Sequence, residues 1–197
     1  MEQRAVASEK MIDERVIEAC QRGDREAFRL LFETYQDRVY SISLYFFNSD
    51  EASARDVTQQ VFLKLMTKIE QFRRDAEFTT WLYRLVVNAC MDEQRKRSRF
   101  IPFGDRFEAG RRGTGARPQE DGFARVEIAD SVKAAIGKLR PKLRLPILLK
   151  YVEGLSYEEM AEVLNCSKGT IASRLNRGHK ILASQLAHLR GASVTGD

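Results

Sequence analysis

Apolar residues recur at helical spacing along almost the whole chain of 197 residues, and no alternation typical of strands stands out. In the first half, this pattern predicts four helices that begin near positions 12, 24, 50 and 79. Gly23 ends the first helix, and Asp24 caps the second. Residues 12–99 are therefore predicted to form a four-helix domain, behind a short N-terminal extension over residues 1–11.

The apolar stripes of two of these helices indicate the core. In the second helix the stripe comprises Phe28, Leu31, Phe32, Tyr35 and Val39. In the third helix it comprises Val57, Val61, Phe62, Leu65, Met66 and Ile69. Side chains that recur every three or four residues share one face of a helix, so both sets are expected to be buried.

The segment 100–125 is rich in Gly, Arg and Pro and has no apolar period. Such a composition cannot bury enough surface to offset its ordering entropy, so a flexible linker is predicted. Helical periodicity resumes near Val126 and predicts a second domain over residues 126–190, before a frayed tail over 191–197. Pro146 is expected in the first turn of its helix, because deeper inside it would remove a hydrogen bond. The expected fold class is all-α, with two small helical domains joined by a flexible linker.

Within the second domain, residues 155–175 predict a short helix, a tight turn and another helix. Ser156 caps the first of these helices, and Glu159, three residues on, closes a capping box. Asn165 can adopt the left-handed conformation that ends this helix, and Ser167 caps the next. This layout is typical of a helix-turn-helix whose second helix enters a DNA major groove.

Charge supports DNA contact. Between Glu162 and Asp197 the chain has no carboxylate side chain, although it contains 28 Asp and Glu in all. Phosphates repel carboxylates and gain affinity by releasing counterions to basic residues. A solvated helix face is the alternative, but an acid-free run of this length favours DNA. The basic residues of the run are Lys168, Arg174, Arg177, Lys180 and Arg190.

The charge of the first half suggests two different partners. Residues 1–60 carry 12 acids against 8 bases, whereas residues 61–99 carry 9 bases against 5 acids. The start of the chain lacks a signal-peptide core, and no apolar run approaches the roughly 20 residues that span a bilayer. Three widely spaced cysteines imply no disulfide framework. We therefore expect a cytoplasmic protein without membrane insertion.

No catalytic constellation is apparent, and an enzyme is not expected. The two histidines, His179 and His188, lie in the basic terminal helix without a paired nucleophile. The segment 113–115 lacks the lysine and the spacing of a phosphate loop. Cys166 and His179 do not make a zinc set, because the remaining ligands are missing. We therefore expect no cofactor and no metal.

Two groups of motifs, taken in their order along the chain, resemble the extracytoplasmic-function (ECF) group of bacterial RNA polymerase sigma factors. This group belongs to the sigma-70 family. The resemblance covers about residues 12–187. The first group comprises residues 54–63, 78–88 and 92–97. The second group comprises residues 153–159, 169–171 and 173–175. The second group alone is shared by many regulators, whereas the two together at this spacing are specific.

The resemblance implies a non-catalytic promoter-specificity subunit. In this family region 2 binds core polymerase and opens the −10 element, and region 4 reads the −35 element. The implied partners are core polymerase (its clamp helices with region 2, its flap with region 4), promoter DNA, double-stranded at −35 and single-stranded at −10, and an anti-sigma factor. The implied role is to start transcription of a specific gene set, of a stress or envelope-response kind.

The resemblance places the polymerase contact on the helix that carries Asp56, Gln59, Gln60 and Phe62. Polar residues around an aromatic anchor suit a specific protein interface. From spacing alone, a solvated helix side with Phe62 in the core is an equal alternative. Gln60 stands where the family often has Glu, so one charge is missing there.

The loop before the fourth helix resembles the family's pocket for a base flipped from the separated strand. Such a pocket needs stacking or apolar walls with polar edges, and basic side chains to hold the backbone. Trp81 is equally explained as a core aromatic. For the basic run 95–99 a solvated terminus is the alternative, and DNA contact is favoured over it. The candidate −10 contacts are Phe72, Arg73, Arg74, Trp81, Arg84, Asn88, Arg95 and Arg97.

In the second helix of the helix-turn-helix, the resemblance assigns base reading to Ser173, Asn176 and Arg177. Arg pairs bidentately with guanine and Asn with adenine, whereas Arg174 and Lys180 are expected at phosphates. Ala172 stands where the family usually has a basic residue, and His179 where it usually has Arg. Both differences weaken the electrostatic attraction between the helix and DNA. The full candidate −35 set is Ser167, Lys168, Thr170, Ser173, Arg174, Asn176, Arg177, His179 and Lys180.

Two other classes of protein remain open. A stand-alone dimeric helix-turn-helix regulator would bind a palindromic duplex by itself. It has no need for the polar helix around Asp56, which therefore favours the sigma factor. If the chain were a protein-interaction adaptor, Arg177→Ala would leave its activity unchanged.

Overall fold

The computed structural model describes residues 12–100 and 120–190. The predicted extension over 1–11, most of the predicted linker and the tail over 191–197 lie outside the described residues. Across the described ranges the chain is helical and forms no strand, which confirms the all-α class. No helix in those ranges has both the length and the apolar character needed to cross a membrane. The helices are α1 (Glu14–Gln21), α2 (Arg25–Phe46), α3 (Glu51–Lys68), α4 (Phe78–Phe100), α5 (Glu120–Lys138), α6 (Pro141–Tyr151), α7 (Tyr157–Val163) and α8 (Lys168–Gln185), with 3₁₀ turns at Ile69–Gln71 and Ala187–Arg190.

Aspartate side chains begin three of the four helices in the first domain. Asp13, Asp24 and Asp50 each accept a hydrogen bond from a main-chain amide two or three residues on, at 3.1, 2.9 and 3.3 Å. These bonds satisfy amides that have no partner within the helix. Gly23 ends α1 with a φ of +84°, a conformation that residues with a side chain rarely adopt.

Helices α2, α3 and α4 pack around the core of the first domain. Two members of the predicted apolar stripes do not belong to this core, since Phe32 is 42% exposed and Met66 is 55% exposed. Periodicity marks an apolar face, but the neighbouring helix covers only the middle of that face. The side chains with at most 1% exposure include Leu31, Val39, Ile42, Val57, Val61, Leu65, Leu82 and Val86.

The second domain differs from its prediction at two points. Helix α5 begins at Glu120, earlier than the expected resumption of helix near Val126. Pro146 lies inside α6 and not in its first turn, where Pro141 is found instead. The first turn needs no amide donor, so Pro141 suits the start of the helix. Pro146 forgoes the bond that an amide would donate one turn back, and its ring is buried.

The predicted helix-turn-helix is present as α7 and α8. The capping box closes because the amide of Ser156 donates to Glu159 Oε2 at 2.7 Å and the amide of Glu159 donates to Ser156 Oγ at 3.2 Å. Asn165 ends α7 with a φ of +46°, and Ser167 caps α8 by accepting the amide of Thr170 at 3.2 Å. Local side-chain chemistry therefore sets both helix starts and the turn.

A buried arginine joins the two domains. Arg144, 7% exposed, donates to the main-chain carbonyl of Phe46 in α2 and to those of Ile136 (3.1 Å), Gly137 and Leu139 (2.8 Å) at the end of α5. Carbonyls at a helix end lack a partner within the helix, so one guanidinium serves two helix termini. Burial lowers the pKa of Arg144 to about 10, which leaves it protonated at neutral pH.

Helix α5 also approaches the end of α2 closely. A Cβ on Gly137 would lie 2.2 Å from Oδ1 of Asn48. Any larger residue at this position would therefore displace Asn48, which is itself in the left-handed conformation with a φ of +56°. Glycine is the residue that permits this contact between the domains.

Candidate nucleic-acid and protein interfaces

Helix α8 buries one face and leaves the other free. Ile171 and Leu175 are 0% and 1% exposed, and Gly178 crosses α6 so closely that a Cβ would lie 3.2 Å from Ile147. Thr170, Arg174 and His179 are partly exposed. The remaining residues of the predicted −35 set are exposed, namely Ser167, Lys168, Ser173, Asn176, Arg177 and Lys180.

Three ionisable side chains of this set have partners within the protein. Lys168 pairs with Glu158 at 2.8 Å, Arg174 Nη1 lies 3.7 Å from the Cys166 sulfur, and His179 Nε2 lies 2.9 Å from a tyrosine hydroxyl. The hydroxyls of Ser167 and Thr170 bond to each other at 2.9 Å, and Ser173 Oγ donates to the main-chain carbonyl of Thr170 at 3.0 Å. Over the described residues, no side-chain hydrogen bond or ion pair engages the other polar residues of the free face. The side chains that α8 leaves available to a ligand are thus Asn176, Arg177 and Lys180.

The loop between α3 and α4 rests on an aromatic cluster. Phe72 packs 5.6 Å from Phe78 and 5.5 Å from Trp81, measured between ring centroids. Phe72 and Phe78 are each 7% exposed, whereas Trp81 is half-buried. Phe72 therefore forms part of the core under the loop. Trp81 packs on that core and keeps part of its surface accessible.

The two arginines of the loop have different surroundings. Arg73 is exposed, and within the described part of the chain its side chain forms no ion pair. Arg74 pairs with Glu14 and Glu18 of α1, each at 2.6 Å, and its backbone is left-handed with a φ of +61°. The hydrogen bond from Arg74, together with its charge, lowers the pKa of Glu18.

Some of the residues of α4 predicted to contact the separated DNA strand are exposed, and others already bind groups within the protein. Asn88 is exposed. Arg84 Nε donates to a main-chain carbonyl of α7 at 3.0 Å, and Arg95 pairs within α4 at 2.6 Å. Arg97 pairs with Asp50 at 2.9 Å and lies 4.9 Å over the Phe47 ring, which ties the end of α4 to the start of α3.

The predicted polymerase-binding residues of α3 also differ in their exposure to solvent. Asp56 and Gln59 are exposed and Gln60 is partly exposed. Phe62 is 8% exposed, so it belongs to the core and is not a free aromatic anchor. Its ring meets that of Phe32 edge-on at a centroid distance of 4.7 Å.

An apolar groove between α2 and α3 lies beside these polar residues. Its volume is about 460 Å³, and Phe62 forms part of its wall. Three side chains give the groove its exposed apolar surface. The sequence pattern assigned two of them to the buried stripes and did not single out Leu63. A usable indication was present, because Leu63 stands one position off the apolar stripe of α3. These side chains are Phe32 (42% exposed), Leu63 (55%) and Met66 (55%).

The two domains meet next to the predicted strand-binding surface. The Tyr83 hydroxyl donates to the Glu153 carboxylate, and Arg84 binds the carbonyl of Glu162. Burial and the nearby Glu153 raise the pKa of Tyr83, so its phenol remains a donor at neutral pH. A cleft of about 1320 Å³ lies between α1, the loop before α4 and the turn before α7.

Comparison with known proteins identifies both domains. The Sigma-70 region 2 family matches residues 31–100, and the Sigma-70, region 4 family matches residues 129–182. The RNA polymerase sigma-H factor of Pseudomonas aeruginosa is 34% identical over 90% of this chain and 95% of its own length. The ECF sigma factor SigW of Bacillus subtilis is 32% identical over 92% of this chain and 100% of its own, and the ECF sigma-E factor of Escherichia coli is 32% identical over 92% and 98%.

Solved structures agree with these relatives. CnrH, in complex with the cytosolic domain of CnrY, superposes with a TM-score of 0.67 at 25% identity, over 90% of this chain and 98% of that one. The sigma factor RpoE, in complex with the anti-sigma factor NepR from Bartonella quintana, superposes with a TM-score of 0.65 at 23% identity, over 82% and 98%.

This chain belongs to the ECF group of the sigma-70 family. It is an alternative sigma factor, a non-catalytic specificity subunit of RNA polymerase that acts in transcription initiation and binds DNA. The family expected from the sequence motifs is thereby confirmed. Below, region 2 denotes residues 31–100 and region 4 denotes residues 129–182.

Proposed function

We propose that region 4 places α8 in the major groove of the −35 element, with Asn176 and Arg177 at base edges and Lys180 at a phosphate. The free polar face of α8 supports this orientation. Ser167 and Lys168 begin the helix, where main-chain amides and the helix dipole favour a phosphate. The remaining −35 candidates, Thr170, Ser173, Arg174 and His179, contribute to the same surface.

Region 2 is proposed to hold the separated −10 strand along α4 and the loop before it. Arg73, Trp81 and Asn88 are the accessible contacts. Arg84, Arg95 and Arg97 have partners within the protein, so each would exchange one of those contacts for a phosphate. Phe72 supports the loop from below.

The apolar groove on region 2 is proposed to receive the clamp helices of core polymerase, while region 4 binds the flap. Phe32, Leu63 and Met66 supply apolar contact area. Gln59 lines the groove, and Asp56 is exposed three residues before it on α3. An apolar centre with a polar rim is the usual composition of a specific protein interface.

One observation carries the proposal: the apolar groove between α2 and α3 and the free polar face of α8 lie on different domains of one chain. A promoter-specificity subunit needs both surfaces, because one binds polymerase and the other binds the promoter. A stand-alone dimeric regulator needs the recognition helix but has no use for the groove on region 2.

The observed contact between the domains represents a closed state. The −35 and −10 elements are separated by roughly 25 base pairs, which is about 85 Å along B-DNA. Domains joined by direct hydrogen bonds between α4 and α7 cannot reach both elements together. Promoter binding therefore requires regions 2 and 4 to separate, and binding to polymerase is proposed to cause that separation.

An anti-sigma factor is a proposed partner of the closed state, since relatives of this chain have been solved with CnrY and with the anti-sigma factor NepR. The proposed place of action is the cytoplasm, and the proposed gene set is a stress or envelope response. A pull-down from the native host should recover an inhibitor that blocks reconstituted transcription. Recovery of polymerase subunits alone under unstressed conditions would count against this partner.

Reconstitution with core polymerase tests the proposed function. The chain should form a stable complex with core polymerase and direct initiation at a defined set of mapped transcript starts. Absence of both the complex and selective initiation would overturn the proposal. Tight binding of the isolated chain to a palindromic duplex, without any polymerase complex, would support the dimeric regulator instead.

A further inference from the structure

Helix α1 lies before the residues matched by region 2, yet it holds the loop that precedes α4. Ile17 and Cys20 anchor α1 in the core, at 6% and 1% exposure. On its neighbouring face, the Gln21 amide nitrogen donates to the carbonyl oxygens of Ile69 at 3.1 Å and Phe72 at 3.0 Å. One side-chain amide thus fixes both ends of the turn that leads into the loop.

The same helix also engages the loop through charge. Glu14 and Glu18 are four residues apart and share a face of α1. The Glu14 carboxylate pairs with Arg74 Nη1, and the Glu18 carboxylate pairs with Arg74 Nη2, each at an N···O distance of 2.6 Å. Both ends of the guanidinium fork are therefore occupied by carboxylates. Two acids beside a strand-binding loop would repel DNA, and Arg74 offsets one of their two negative charges.

The backbone conformation at Arg74 distinguishes this residue from its neighbour Arg73. Arg74 has a φ of +61°, which residues with a side chain adopt only when the surroundings enforce it. The ion pairs with α1 and the Gln21 bonds supply that enforcement. Arg73 precedes this point in the chain and remains exposed, with no ion pair in the described residues.

We infer that α1 positions the loop over residues 72–77, the strand-reading loop of region 2, through Glu14, Glu18 and Gln21. In this arrangement Arg74 is the anchor of the loop, and Arg73 is its contact with the −10 strand. The inference rests on the proposed role of this loop at the −10 element. It extends the promoter-reading apparatus to a helix of the first domain that precedes the residues matched by the Sigma-70 region 2 family.

The deciding variant is Glu14→Gln with Glu18→Gln, in the full chain assembled with core polymerase. The probe is a single-stranded oligonucleotide that carries the non-template −10 sequence of a mapped promoter. Affinity should fall three- to tenfold, about the range that two exposed ion pairs support. If Arg74 were a DNA contact restrained by the two acids, the same variant would bind more tightly, and that result would overturn the inference.

A charge exchange gives a second test. Arg74→Glu alone should weaken strand binding, because it breaks the anchor and adds a carboxylate near the strand. Adding Glu18→Arg and Glu14→Gln restores an ion pair of opposite sense and should recover most of the lost affinity. No recovery would show that position 74 itself must be basic, which contradicts a purely positioning role.

Matched controls separate positioning from general damage. Glu33→Gln breaks a similar exposed ion pair on α2, Arg29–Glu33 at 2.9 Å, and should leave strand binding unchanged. Binding to a −35 duplex should be unaffected in every variant. Arg73→Ala should lower the salt dependence of strand binding by about one phosphate contact.

Hydrogen exchange distinguishes failure of this inference from failure of the proposed function. The Glu14→Gln, Glu18→Gln variant should speed amide exchange over residues 69–76 without any DNA present. Unchanged exchange there would overturn the role of α1. An unsubstituted holoenzyme that shows no preference for the −10 strand, with no effect of Arg73→Ala, would instead overturn the proposed function of the loop.

Discussion

Arg84 of region 2 donates its Nε proton to the main-chain carbonyl of Glu162 in region 4, 3.0 Å away. The adjacent Tyr83 binds the carboxylate of Glu153. Arg84 is a candidate contact for the separated −10 strand. It is bound here by region 4, the domain proposed to read the −35 duplex. If Arg84 contacts the separated strand as proposed, separation of the domains and access of the strand to α4 are one event.

Tyr83→Phe should shift the protein toward separated domains. The ring remains packed, but the hydrogen bond to Glu153 is lost, and bonds to charged groups contribute about 1.5–3 kcal/mol. The ratio of open to closed molecules should rise about tenfold or more. Small-angle scattering or spin-label distances between regions 2 and 4 would measure this shift. Tyr45→Phe, which removes a hydroxyl from a partly buried tyrosine of α2, is the control, and identical distances for both variants would contradict the prediction.

Arg144→Met should destabilise the protein by about 2–4 kcal/mol, because buried carbonyls at two helix ends lose their donor. Urea denaturation of the variant and of Arg140→Met, an exposed arginine in the turn before α6, would provide the comparison. The control should change the free energy of unfolding by less than about 0.5 kcal/mol. Equal losses for the two variants would rule out a special role for Arg144.

Leu63→Ser should weaken binding to core polymerase and leave folding nearly unchanged, since the side chain is 55% exposed. If the groove seats the clamp helices, removal of a central apolar contact should cost about 1–2 kcal/mol, or roughly five- to thirtyfold in Kd. Leu30→Ser, at a 40% exposed position of α2 outside the groove, is a matched apolar control. Surface plasmon resonance with immobilised core polymerase would measure both, and equal affinities would place the polymerase contact elsewhere.

Arg177→Ala and Lys180→Ala should affect −35 binding in different ways. Loss of Arg177 should cost about 1–3 kcal/mol and relax the preference at one base pair. Loss of Lys180 should weaken all sequences alike and reduce the salt slope by about one. Gel-shift titrations of single-base −35 variants at several salt concentrations would separate the two. The assignment would be wrong if Arg177→Ala left the base preferences intact.

The sequence predicted those features that depend on neighbouring residues. The capping box of Ser156 and Glu159, the left-handed Asn165 and the cap Asp24 each involve groups within three residues of one another. The two family motifs also identified the class of protein. Local chemistry and motif spacing were sufficient for the fold class and the general function.

The sequence could not predict features that depend on distant residues. Arg74 meets Glu18 across 56 positions of chain, and Arg144 meets Phe46 across 98. No local pattern distinguishes these arginines from ones that face DNA or solvent. Periodicity likewise placed Phe32 on an apolar face, but it does not report how far a neighbouring helix covers that face.

Trp81 is the single tryptophan of the chain, and its ring rests on Phe72 beneath the strand-reading loop. The unmodified protein consequently carries an optical probe at the place where a promoter base is proposed to enter. A base that stacks on the indole quenches its emission, whereas an event confined to α8 leaves that emission unchanged. The moment of promoter opening can thus be timed by stopped-flow fluorescence, without a label on either the protein or the DNA.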